Sequence, residues 1–73
     1  MEELLKTNDP TVISFATALL RAEDIECFVF DVHMSVLDGS IGILPRRLMV
    51  TREEAFMARA ILRDNGIELS ERA

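Results

Sequence analysis

Leu19-Leu20-Arg21-Ala22-Glu23-Asp24-Ile25-Glu26 is answered 42 positions further on by Ile61-Leu62-Arg63-Asp64-Asn65-Gly66-Ile67-Glu68. Each octet runs two aliphatic residues, an arginine, a polar stretch, an isoleucine and a glutamate. A match at a fixed shift of this size marks a repeated supersecondary unit. The same shift carries Asp9 onto Thr51, two residue types whose side chains accept from the free amides of a helix N-terminus. It also lays the first predicted strand on the third.

Working outward from the repeat, Asp9-Pro10 starts the first helix, because proline at the first helical position gives up an N–H that has no partner there anyway. At about 100° per residue, Val12, Ile13, Phe15, Ala16, Leu19, Leu20 and Ala22 share one face, and Ser14, Thr17 and Arg21 the other. Thr51-Arg52-Glu53-Glu54 has the T-x-x-E pattern of a capping box, and its hydroxyl is expected to contribute about 1 kcal/mol. This second helix is expected to stop at Gly66, because glycine can take the left-handed backbone that helix C-termini favour. Its inward stripe is Ala55, Ala58, Ile61 and Leu62. Strands are expected at Glu2 to Thr7, at Ile25 to Val32 and at Arg46 to Val50, with Ile67 to Leu69 a short return strand. Two strand-helix-strand units give an α+β, ferredoxin-like βαββα(β) sandwich: an antiparallel sheet with two helices on one face and a fourth strand short or absent.

Seventy-three residues form a single domain, 1–73, with a small core. The lone Cys27 excludes an internal disulfide and fits a reducing compartment. The longest uncharged stretches fall far short of the ~20 apolar residues of a membrane span, and Met1-Glu2-Glu3 is acidic where an export signal is basic. A cytoplasmic protein is the expectation. Thirteen acidic against eight basic side chains give a net charge of −5, which disfavours binding to nucleic acid backbones. Residues 1–31 hold two basic and seven acidic residues, whereas 32–73 hold six of each. That asymmetry either orients self-association, draws an anion locally, or is simply solvated.

The connection from Val32 to Pro45 is fourteen residues long, where about two to six would suffice. Val36, Leu37, Ile41, Ile43 and Leu44 make it too apolar to remain in water. Asp31, His33 and Ser35 alternate, yet same-face neighbours on a strand stand about 6.5 to 7 Å apart, too far for a working triad. One histidine and one cysteine supply no metal-ligand pair, and no cofactor motif is present. Gly39, Ser40 and Gly42 could form a backbone concavity for an anion, with Arg46 or Arg47 supplying charge, and His33 and Ser35 join them as candidate ligand- or partner-binding residues. Ordinary turn residues account for the same pattern. Phe28 and Phe30 on one side of the second strand, with Cys27 and Val29 on the other, make it apolar on both faces, and two helices cover only one. Phe56, Met57 and Ala60 form a second facet on the last helix beside an arginine ridge, Arg52, Arg59 and Arg63. Interface residues are therefore expected at Phe28, Phe30, Leu37, Ile41, Ile43, Phe56 and Met57.

The helix start Thr7-Asn8-Asp9-Pro10, the run from His33 through Ser35, Gly39 and Gly42 to Leu44-Pro45-Arg46, and the strand-helix pattern after it resemble a small bacterial family of "putative signal transducing proteins". The likeness covers nearly the whole chain. It implies a ferredoxin-like fold related to the nitrogen-regulatory PII proteins, trimers in which the loop between the second and third strands contacts target proteins and nucleotide sits between subunits. This chain is shorter than those and lacks their full last strand. Residues and resemblance together give one leading expectation: a non-enzymatic regulatory or protein-interaction module, homo-oligomeric and a dimer before a trimer, with the segment from His33 to Arg47 as its functional surface. The alternative is a small-anion or nucleotide sensor using the same loop.

Overall fold

The computed structural model describes residues 1–31 and 45–70. Its elements are β1 (Glu2–Thr7), α1 (Pro10–Ala22), β2 (Cys27–Asp31), β3 (Arg46–Val50) and α2 (Arg52–Asp64). The second strand starts at Cys27 rather than Ile25, because Ile25 is used to close the preceding helix. The sheet has the order β1-β3-β2, and both pairings are antiparallel. This is the α+β sandwich expected from the repeat.

Both helices lie on one sheet face. Leu5, Cys27, Leu48 and Val50 turn toward them and join Ile13, Ala16, Leu20, Ala55, Ala58 and Leu62 in a single core. Consecutive Leu4 and Leu5 are both buried, although strict alternation would send one to each face. A register shift between Glu3 and Leu5 resolves the conflict: Leu4 is the extra residue of a bulge, so its neighbours keep their places opposite Met49 and Leu48.

The inward stripe of α1 is rotated from the one the sequence suggests. Its buried residues are Ile13, Ala16, Thr17 and Leu20, while Phe15 is half exposed and Ala22 is exposed. Thr17 can be buried because its hydroxyl donates back to the Ile13 carbonyl at 2.9 Å and approaches that of Ser14 at 3.0 Å. A self-satisfied hydroxyl costs little to bury, and its methyl group then packs.

The two helix ends repeat at the level of single hydrogen bonds. Asp24 N–H donates to the Arg21 carbonyl and Ile25 N–H to that of Leu20; Gly66 N–H donates to Arg63 and Ile67 N–H to Leu62. Both ends are Schellman motifs. Each is closed by a left-handed residue, Asp24 with φ 61 and Gly66 with φ 77 degrees. After the second one the chain runs beside β1, where Ser70 N–H donates to the Leu4 carbonyl at 2.8 Å and Ser70 Oγ to Glu3 Oε2 at 2.8 Å. Among the described residues, the expected return strand is therefore reduced to one backbone bond. It still occupies the outer edge of β1 at Leu4, an edge that the sequence alone leaves bare.

The helix starts differ from each other. Asp9 Oδ1 accepts from the Thr11 hydroxyl and from Thr11 N–H, the latter at 2.9 Å, and these bonds hold the carboxyl below the usual carboxylate range. Thr51 occupies the cap of α2 with extended backbone, but its hydroxyl makes no capping bond. The first turn is served instead by the Glu54 N–H bond to the Thr51 carbonyl and by Glu53 and Glu54 facing the positive helix end. The capping box is thus a helix start without its side-chain bond.

Urea midpoints should separate the two caps. Asp9→Ala lowers the midpoint clearly, whereas Thr51→Ala shifts stability by no more than about 0.5 kcal/mol, because only the first loses a formed cap bond. The Asp9 contribution is present above the ordinary carboxylate pKa and is lost as pH falls through the lowered folded value, so Asp9→Ala and the parent chain converge in acid. Separately, Gly66→Ala costs about 1 kcal/mol. A Cβ at that position meets nothing within 4 Å, so the whole loss is backbone strain.

Candidate functional site

Of the residues expected to bind a ligand or partner, His33, Ser35, Gly39, Ser40 and Gly42 lie outside the described residues, as do Leu37, Ile41 and Ile43 among the expected interface residues. The remainder fall on two separate surfaces. The first is the sheet face turned away from the helices. Cross-strand pairs there are Phe28 with Met49 and Phe30 with Arg47, and β1 adds Glu3 opposite Met49 and Lys6 opposite Arg47. Phe30 is 48% exposed, Phe28 and Met49 are half-buried, and among the described residues no helix or strand lies over them. Arg47 Nε stands 3.8 Å from Glu3 Oε1. Such a contact in water steadies the rim and contributes little energy. Arg46 is on the helix-side register, level with Asp31 and Thr7, so Arg46 and Arg47 serve opposite faces as their adjacency dictates.

The second surface is a cleft of about 520 Å³ between α2 and the start of β1, lined by Glu2, Arg52, Ala55, Phe56, Arg59, Ala60 and Arg63. Glu2 organises it. Arg59 Nη2 is 3.2 Å from Glu2 Oε1 and 3.3 Å from the Glu3 carbonyl, with both side chains only 17% exposed. Arg52 Nε reaches Glu2 Oε2 at 3.7 Å from a largely exposed position. Phe56 is 85% exposed and Met57 also faces water. Sequence alone finds the arginine ridge and the apolar facet beside it. It does not find Glu2, whose role depends on α2 crossing the N-terminal strand.

A smaller cleft of about 330 Å³ is lined by Arg21, Asp24, Ile25, Glu26 and Cys27. Burial pushes the Cys27 thiol above its usual range, so it remains protonated at neutral pH and is an unreactive core residue. Among the described residues no group of three histidine, cysteine or acidic side chains could hold a metal ion. No described helix is long and apolar enough to cross a membrane.

A family described as "Putative prokaryotic signal transducing protein" matches residues 1–67. The chain belongs to this family. No curated protein matches the sequence. The family description points to signal transduction.

Among the described residues, the Glu2–Arg59 pair is the ion pair shielded from water on both sides. Arg59→Met is expected to destabilise the domain, and a double-mutant cycle with Glu2→Gln should return a coupling of about 1 kcal/mol. Simple additivity of the two single changes, read from urea midpoints, would show the pair to be decorative.

Proposed function

We propose that this domain is a non-enzymatic regulatory module that works by docking. It joins a second copy of itself through the sheet face opposite the helices, and it meets a protein partner through the segment from His33 to Arg47. The observation that carries the reading is the apolar face of β2 and β3, which no described element covers. Phe28, Phe30 and Met49 form a continuous patch in a domain whose core is already complete on the other side. Each large apolar side chain is worth roughly 1.5 to 3 kcal/mol when fully buried, and a domain of this size has little other stability to draw on. The rim of Glu3, Lys6 and Arg47 carries both signs, as the border of a self-complementary contact does.

The connecting segment supports the second half of the proposal by its sequence and its position. It is the longest connection in the chain and among its most apolar, and it leaves β2 beside Arg46, where β3 begins.

Sedimentation of the unmodified chain at micromolar concentration is expected to show a dimer rather than the 8.2 kDa monomer. Phe30→Lys, placing like charge against Arg47 and Lys6, should give monomers with unchanged circular dichroism. Replacing Ile41 and Ile43 by Asp should likewise dissociate the assembly and spare the fold. Unfolding of that double variant would mean that the segment covers its own sheet. A single 8.2 kDa species for the parent chain removes self-association altogether.

A further inference from the structure

The cleft beside α2 is where the molecule departs furthest from its own average. The chain carries −5 overall, yet three guanidinium groups and one carboxylate line this cleft, a local balance of +2. Arg52, Phe56, Arg59 and Arg63 stand at i, i+4, i+7 and i+11, one stripe along the helix. We propose that this stripe binds a small molecule carrying a phosphate-type oxyanion on a flat apolar body.

Helical side chains lean toward the helix N-terminus, so Arg63 overlies the turn that holds Arg59 and Ala60, with Phe56 one turn beyond. Arg59 is already fixed by Glu2 and the Glu3 carbonyl, so little side-chain freedom is lost when an anion arrives at its open edge. The Arg63 side chain is exposed and, among the described residues, makes no hydrogen bond or ion pair; its carbonyl accepts from the Gly66 N–H that closes the helix. Its planar fork suits the paired oxygens of a phosphate. Arg52 keeps the far end of the cleft cationic through a long contact with Glu2 that an arriving ligand can displace.

The volume and Phe56 decide the rest of the ligand. The cleft holds about 520 Å³. That lies within the range of small-molecule sites and far exceeds what a bare anion fills. The Phe56 ring, almost fully exposed on a rigid helix, offers a flat face for stacking at the position the body of such a ligand would take. A protein partner commonly covers about 800 Å² per side, much broader than a site confined to one helical stripe. Self-association would leave this cleft open, because the apolar sheet face lies on the side of the sheet away from α2.

The test is titration of the full chain with phenyl phosphate, inorganic phosphate and a glutamate-rich peptide, followed by amide chemical shifts. Phenyl phosphate should give saturable shifts over residues 52–63 and bind several-fold more tightly than inorganic phosphate. Arg63→Gln should weaken both phosphates about ten-fold, and Phe56→Ala should bring phenyl phosphate down to the level of inorganic phosphate. Arg21→Gln, an exposed arginine elsewhere, should change nothing. Both tested side chains are exposed, and the unliganded amide spectrum shows directly that each variant is folded. Absence of saturable shifts at about 20 mM phenyl phosphate, a millimolar ceiling worth only a few kcal/mol, overturns the proposal. So does retention of the phenyl phosphate preference in Phe56→Ala, or tighter binding of the peptide.

Discussion

The structure depends on β3 lying between the two strands of the first half. β1 and β2 are both antiparallel to β3 and hence parallel to each other, joined by α1 over one sheet face. Such a crossover leaves a gap one strand wide, and the gap has to be filled by a strand whose ladder groups are satisfied on both sides. Arg46–Val50 fills it. Leu48 and Val50 are fully buried under the helices while their backbones pair both ways. Without this strand there is no sheet, and the helices have no shared surface on which to pack.

The same logic repeats in the second half and stops short. β3 and α2 lead into a tail that runs beside β1, so that β1 fills the corresponding gap between β3 and the tail. Among the described residues, the pairing consists of the bond from Ser70 to the Leu4 carbonyl. Leu4 is displaced from the regular ladder with β3, which brings its side chain into the core while its carbonyl accepts from Ser70 on the other edge. Ile67 and Leu69 then contribute by packing on the core rather than by strand pairing.

Much of this was legible in the sequence because its signals are local. The repeat, Pro10, Gly66 and the two aliphatic-arginine ends fix the elements, and the matched Schellman bonds show that the repeat is physical. What escaped depends on three-dimensional satisfaction of polar groups. Thr17 reads as an outward residue until its hydroxyl is seen bonded to Ile13. Thr51 reads as a working cap until its hydroxyl is seen idle. Of the expected site, the arginine ridge and the apolar facet of α2 were legible as a helical stripe, whereas Glu2 lies 57 residues from Arg59 and no spacing rule connects them. The loop expected to carry function, with its glycines and His33, lies outside the described residues.

Glu2 gives the charge asymmetry of the chain a structural meaning. The acidic excess belongs to residues 1–31 and most of the arginines to the second half, so contact between the halves can be electrostatically favourable wherever strand and helix meet. At the β1–α2 contact a single carboxylate engages two of the three guanidinium groups, one closely and one at long range. One carboxylate cannot neutralise three arginines, and a helix that needed only an anchor would have no use for Arg63 beyond its modest interaction with the helix dipole. These arginines stand on an acidic molecule, where a net positive cleft is built against the surrounding field. Surplus cationic charge concentrated beside an exposed aromatic ring has its complement outside the chain, in an anion that carries an apolar face of its own.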